Sequence, residues 1–175
     1  MAVTGAGGMP AATGRMRGLA AAALCAALAV ALPAPAATPA PDFALKALDG
    51  RNHRLSEHRG EVVALLFWNA RCGGCRAELE RLGRLRGTYS QAGLVTYGIV
   101  LDADAGEARA VAAALGTAYP QLHDGDRRVA RAYRPRNLPT LLLVDRAGVV
   151  RHAYGELDAR GERALLADLR GLLDE

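Results

Sequence analysis

Val62-Val63-Ala64-Leu65-Leu66-Phe67-Trp68-Asn69-Ala70-Arg71-Cys72-Gly73-Gly74-Cys75-Arg76-Ala77-Glu78-Leu79 is the stretch on which the fold turns. From Glu61 to Trp68 it runs almost wholly apolar, the pattern of a central strand buried on both faces. Asn69 to Gly74 turns the chain. From Cys75 onward, Leu79, Leu82, Leu85 and Tyr89 recur at spacings of three and four, which predicts a helix with one apolar stripe. Two cysteines separated by two glycines therefore sit where a buried strand gives way to a helix.

Upstream, Phe43 to Lys46, the turn Asp49-Gly50, and His53 to Leu55 read as a β-hairpin. Ser56 to Gly60 is a polar connection with room for one helical turn. Downstream, Leu94 to Leu101 is a second buried strand, and Asp102 to Leu115 an alanine-rich helix ended by Gly116. Arg127 to Tyr133 is a short helix and Thr140 to Val144 a third apolar strand. The turn Arg146-Ala147-Gly148 leads into an antiparallel partner, Val149 to Ala153. A last helix starts near Asp158 and turns Leu165, Leu166, Leu169, Leu172 and Leu173 to the core. Strand–helix alternation followed by a hairpin and a helix gives the α/β class, with a central mixed sheet flanked by helices.

The chain has 175 residues, enough for one domain and a processing segment. Residues 1–37 read as a signal peptide or an N-terminal membrane anchor. Arg15 and Arg17 supply positive charge, Leu19 to Leu32 is uninterrupted and apolar, and Ala34-Pro35-Ala36 is a cleavage site of the A-x-A kind. The run is shorter than the roughly 20 residues a spanning helix needs, and Pro33 and Pro35 end it. Residues 38–41 read as a stiff linker and 42–175 as the folded domain. Lys plus Arg number 22 against 18 Asp plus Glu; without Arg15 and Arg17 the balance is 20 against 18, or +2. The charges are interspersed, which speaks against nucleic acid or an anionic membrane surface as a partner.

Removing residues 1–37 takes Cys25 with them and leaves Cys72 and Cys75 alone. A structural disulfide framework would spread more bridges along the chain. A helix N-terminus stabilises a thiolate, the attacking species, and Arg71 and Arg76 add positive charge on either side. Cys75, one turn further in, is placed to resolve a mixed disulfide formed at Cys72. Zinc is the competing reading, but a structural site needs four ligands, and His53, His58, His123 and His152 are not paired at ligand spacing. No metal and no cofactor beyond the cysteine pair is expected.

Phe67 to Cys75 resembles the active-site segment of the thioredoxin family, and Leu138-Pro139-Thr140 with the strand after it resembles that family's cis-proline loop. Pro41-Asp42-Phe43, Leu48-Asp49-Gly50 and Leu55 resemble the opening hairpin of the TlpA/ResA branch, which comprises exported, often membrane-tethered thiol–disulfide oxidoreductases. The resemblance covers nearly everything from Pro41 onward. It implies a thioredoxin fold with an N-terminal β-hairpin and an extra helix inserted at Asp102 to Asp124. It makes Cys72 the nucleophile and Cys75 the resolving thiol. Pro139 would be cis against the disulfide, with the Leu138 backbone offered to an extended substrate. Trp68 joins them as a candidate substrate contact, its alternative being a core residue.

Glu78 stands three residues after Cys75, about one helical turn along. The TlpA/ResA branch has a Glu there that helps set the thiol pKa values. Thioredoxin's own buried acid would fall at Leu66, so Glu78 is the candidate proton partner of Cys75, against the alternative of a solvated charge like Glu80. Departures from the family pattern are Arg71 in place of a common Trp, Gly73-Gly74 without the usual Pro, Pro135 in place of Val, and Glu80 in place of a helix proline. Two glycines loosen the dithiol form and, taken alone, make the disulfide easier to reduce.

The expected function is reduction of exported protein disulfides, with electrons from a membrane thiol carrier and clients such as apocytochrome c or respiratory-oxidase thiols. An oxidant or isomerase of exported proteins is the first alternative, and a copper chaperone using both thiolates with a His or Met the second. A peroxidase reading fails because no Pro/Thr pair leads into Cys72. The place of action is the periplasm or an equivalent extracytoplasmic space, with membrane contact only through an N-terminal anchor.

Overall fold

The computed structural model describes residues 39–175. The signal or anchor expected at residues 1–37, and Thr38, lie outside the described residues.

Among the described residues, seven strands and four α-helices follow in chain order. A two-stranded hairpin, β1 (Ala44–Lys46) and β2 (Asn52–Arg54), precedes a 3-10 turn and the central strand β3 (Val62–Trp68). Then come α1 (Cys75–Tyr89), β4 (Leu94–Val100), α2 (Ala105–Ala114), β5 (Gln121–His123), α3 (Arg128–Tyr133), β6 (Thr140–Val144), β7 (Val150–Tyr154) and α4 (Ala159–Asp174). The main sheet has the order β5-β4-β3-β6-β7, with β3 parallel to β4 and antiparallel to β6. It is the mixed sheet of a thioredoxin fold.

All seven residues of β3 are buried, as a strand covered on both faces must be. The side-chain period of two divides them. Val62, Ala64, Leu66 and Trp68 join Leu79 and Leu82 of α1, Ala108 of α2 and Leu165 and Leu169 of α4. Val63, Leu65 and Phe67 face the other way, onto Phe43 and Leu45 of the hairpin region, Leu55, and Val129 of α3. Within α4, Leu165, Leu169 and Leu172 are buried, while Leu166 and Leu173 pack at the margin. Each fully buried Leu contributes about 1.5–3 kcal/mol over exposure.

One expectation is extended and one is corrected. The insertion expected at Asp102 to Asp124 holds, besides its helix α2, a strand: β5 pairs parallel to β4, so the insertion is a complete helix–strand unit. Gln121-Leu122-His123 alternates, but three residues are too few to mark a strand. The hairpin shields this sheet edge, with Leu48 N–H donating to Gln121 O at 2.8 Å. The linker expected at 38–41 is docked from Pro39 on. Pro39 bridges to Val149, Ala40 N–H donates to Gly148 O at 2.9 Å, and Tyr133 Oη–H donates to Pro41 O at 2.8 Å. Ala40 is buried.

β4 and β5 meet at a close approach. Gly98 pairs with Gln121, whose Oε1 accepts the Trp68 indole N–H at 3.0 Å. A Cβ at Gly98 would lie 1.9 Å from Gln121 Oε1 and 2.9 Å from Trp68 Nε1. Gly98→Ala is therefore expected to expel the amide and leave the buried indole N–H unpaired, costing about 1–3 kcal/mol. Urea unfolding followed by fluorescence of the single Trp checks this, and an unchanged midpoint refutes it.

Candidate active site

Strand β3 keeps its pairing to its last residue, where Leu101 N–H donates to Trp68 O at 2.9 Å. The chain then folds back on itself. Ala70 N–H donates to Asp102 Oδ2 at 3.0 Å and Arg71 N–H to Asn69 Oδ1 at 3.1 Å. Cys72 N–H donates to Asn69 O at 3.3 Å, and Cys75 N–H to Cys72 O at 3.4 Å. Cys72 and Cys75 are joined as a disulfide, with their Cα atoms 5.4 Å apart. Cys72 is half-buried while Cys75, the first residue of α1, is 2 % exposed. Cys72 is the more open residue of the pair and Cys75 the enclosed one, an asymmetry that separates an attacking thiol from a resolving one. The α1 N-cap is Gly74, which has no side chain to satisfy the helix's first amides.

The charges around the pair differ from expectation. Arg71 forks onto Glu107 of α2, with Nε and Nη2 donating at 3.2 and 3.1 Å, and this bond holds the Glu107 carboxyl below the usual range. Arg71 thus lends the thiolate less charge than its position promised. Arg76 is exposed on the first turn of α1.

Glu78 is 2 % exposed, not a solvated helix-face charge. Arg81 Nε donates to its Oε2 at 3.1 Å and Leu157 N–H to its Oε1 at 3.3 Å. Arg81 also reaches Glu162 of α4, so a single guanidinium serves two carboxylates. The arrangement ties the first turns of α1 to the start of α4, through Leu157 and the N-cap Asp158.

The Leu138–Pro139 peptide bond is cis. The register Phe67↔Thr140 brings Pro139 level with the end of β3, beside the cysteine turn. Leu138 is half-buried and packs against both core clusters, and Pro139 is buried. A cavity of about 330 Å³ opens beside this loop between Arg136, Asn137, Thr140, Tyr154 and Gly155. Trp68 does not belong to that surface. It is fully buried, with its N–H spent on Gln121, because its alternation along β3 turns it inward under α1. The substrate contact expected of Trp68 is corrected to a core position. Among the described residues, no three His, Cys, Asp or Glu side chains gather as a metal site.

Two residues at the site escaped sequence reasoning. Asp102, which holds the Ala70 amide, stands two residues after the end of β4, and the C-terminal ends of neighbouring parallel strands lie side by side; that rule could have found it. Glu156, in the loop between β7 and α4, lies against Gly74. No local spacing signals it, since it comes from the far end of the chain.

The family described as AhpC/TSA matches residues 36–153. Thiol-disulfide oxidoreductase ResA of Geobacillus thermodenitrificans is 33% identical over 112 residues, which are 64% of this chain and 64% of that protein. ResA of Bacillus thuringiensis is 30% identical over 120 residues, 67% of this chain and 68% of its own length. The chain thus spans somewhat under two thirds of the length of the Geobacillus relative. A crystal structure provisionally assigned as a thiol:disulfide interchange protein DsbE of Chlorobium tepidum superposes with a TM-score of 0.74 at 29% identity, covering 78% of this chain and 96% of that one.

Because Glu78 is buried with Arg81 as its cationic partner, Arg81→Met should destabilise the domain by about 3 kcal/mol by leaving a charge unpaired inside. A fall in the urea midpoint is the expected reading; equal midpoints would show that the pair carries no weight.

Proposed function

The chain belongs to the AhpC/TSA family of thioredoxin-fold proteins, and from that premise we propose a thiol–disulfide oxidoreductase that reduces disulfides of exported proteins. The observation that carries this reading is the Cys72–Cys75 disulfide at the junction of β3 and α1, with Cys72 half-buried and Cys75 buried. Within the family, Asn69-Ala70-Arg71 ahead of Cys72 does not support a peroxidase.

In the proposed cycle, the Cys72 thiolate attacks one sulfur of a client disulfide. A mixed disulfide forms and the client's other sulfur leaves as a thiolate. Cys75 then loses its proton and attacks Cys72 Sγ, which re-forms the Cys72–Cys75 bond and releases the second client thiol. Two electrons and two protons return the pair to the dithiol, and a membrane thiol carrier is the proposed donor. Helix α1 favours the thiolate at Cys72 through its positive end. Glu78, one turn beyond Cys75 and already sharing Arg81 with Glu162, is the proposed proton partner of Cys75. The cis-proline loop would hold the client as an extended strand along Leu138, over the cavity at Asn137 and Gly155. Residues 1–37 would deliver the domain outside the cytoplasm, either cleaved or as an anchor. Cytochrome c or respiratory-oxidase maturation is the proposed setting, by likeness to the branch named above.

The test is the reduction potential of residues 38–175 against glutathione and dithiothreitol, read by thiol alkylation. A reversible two-electron couple near or below about −220 mV is expected. A value near about −120 to −180 mV would instead indicate an oxidant or isomerase. Absence of a reversible disulfide would overturn the redox reading, and tight stoichiometric copper binding by both thiols would then replace it. Glu78→Gln should shift the titration of the buried thiol; unchanged titration of both thiols removes Glu78 from the mechanism.

A further inference from the structure

The two glycines between the cysteines are not alike. A Cβ at Gly73 would meet nothing within 4 Å, but one at Gly74 would lie 2.8 Å from Glu156 Cδ and 2.9 and 3.0 Å from its two oxygens. The carboxylate of the exposed Glu156 therefore lies against the turn that closes the disulfide ring, at the N-cap of α1. Its loop is fastened there by the very next residue. Leu157 N–H donates to Glu78 Oε1 at 3.3 Å, and Leu157 O accepts from Arg81 Nη2 at 3.4 Å.

We propose that Glu156 is a positioning residue for the redox pair: a negative charge over the α1 N-terminus that offsets part of the helix's pull on the Cys72 thiolate and makes the disulfide harder to reduce. The inference rests on the redox reading of Cys72 and Cys75 given above. The helix end that would stabilise a thiolate faces an anion already in place, and a like charge nearby disfavours ionisation of the thiol. A reduced form that gains less from its thiolate lies higher, so the equilibrium moves toward the disulfide and the pair becomes a stronger reductant. This opposes the loosening effect of two glycines on the ring. It also gives Gly74 a reason: a side chain at 74 and a carboxylate in this seat compete for the same space. The remaining charges around the pair are Arg71 held by Glu107 of α2, Arg76 and Glu78 of α1, Asp102 after β4 on the Ala70 amide, Arg136 in the cis-proline loop and Asp158 at the α4 N-cap. Glu78 and Asp102 are committed to Arg81 and to Ala70, whereas Glu156 presents its carboxylate to the turn itself.

The experiment compares the wild-type domain with Glu156→Gln and Gly74→Ala, reading the pH dependence of Cys72 alkylation and the disulfide equilibrium with glutathione. Two unit charges about 6 Å apart in a water-like dielectric interact enough to change an equilibrium by about threefold. Glu156→Gln should accordingly lower the alkylation midpoint by about half a pH unit and shift the glutathione equilibrium about threefold toward the dithiol, which is about 15 mV for a two-electron couple. Gly74→Ala, which displaces the carboxylate without removing it, should shift both readings in the same direction, and the double variant should add nothing to Glu156→Gln. Unchanged midpoint and equilibrium in Glu156→Gln, with a reversible wild-type couple, overturn this inference alone. A wild-type pair that forms no reversible disulfide overturns the redox reading together with it.

Discussion

Strand β3 has no free side. Both faces are buried, β4 pairs along one edge and β6 along the other, and the last rung on the β4 side is the Leu101–Trp68 bond. Everything reactive is attached where this strand runs out. Four segments meet there: the cysteine turn, the loop after β4 with Asp102, the cis-proline loop before β6 and the loop after β7 with Glu156. Their meeting follows from strand directions. Parallel β3 and β4 end on the same side, β6 begins there because it is antiparallel, and β7 returns to it. The two-sided burial that makes β3 immovable thus also makes the turn beyond it a rigid platform for two sulfurs.

Around that platform the charges are distributed unevenly. Cations sit on the outside, at Arg71 and Arg76, and one of them is already bound to Glu107. Beneath α1 the pattern is reversed, because Glu78 and Glu162 share Arg81. Of these two carboxylates only Glu78 is buried, one helical turn beyond Cys75, while Glu162 is 40 % exposed.

Much of this was legible along the chain, for reasons that differ by element. β3, β4, β6, α1 and α4 are long enough for their apolar period to be read, and their bounds agree with the expected ones to within a residue or two. β5 was not, since Gln121 and His123 are polar and its only evidence is its neighbours. Glu78 was found by spacing, but its burial was not, because Arg81 and Leu157 contribute the partners from different distances. Trp68 was misplaced for an opposite reason: nearness to Cys72 in sequence says nothing about which face of the strand it occupies. Glu156 could not be read at all, since its contact with Gly74 exists only once β7 has paired with β6.

The docking of Pro39 and Ala40 onto Val149 and Gly148 sets the geometry of attachment. That turn joins the end of β6 to the start of β7, level with the first residue of β3, while the disulfide lies beyond the last. Seven strand residues at about 3.3 Å each separate the two poles, roughly 20 Å. Whatever precedes Pro39 is thus joined to the domain at the pole farthest from the chemistry. The length of the central strand separates the point where Pro39 docks from the point where the sulfurs emerge.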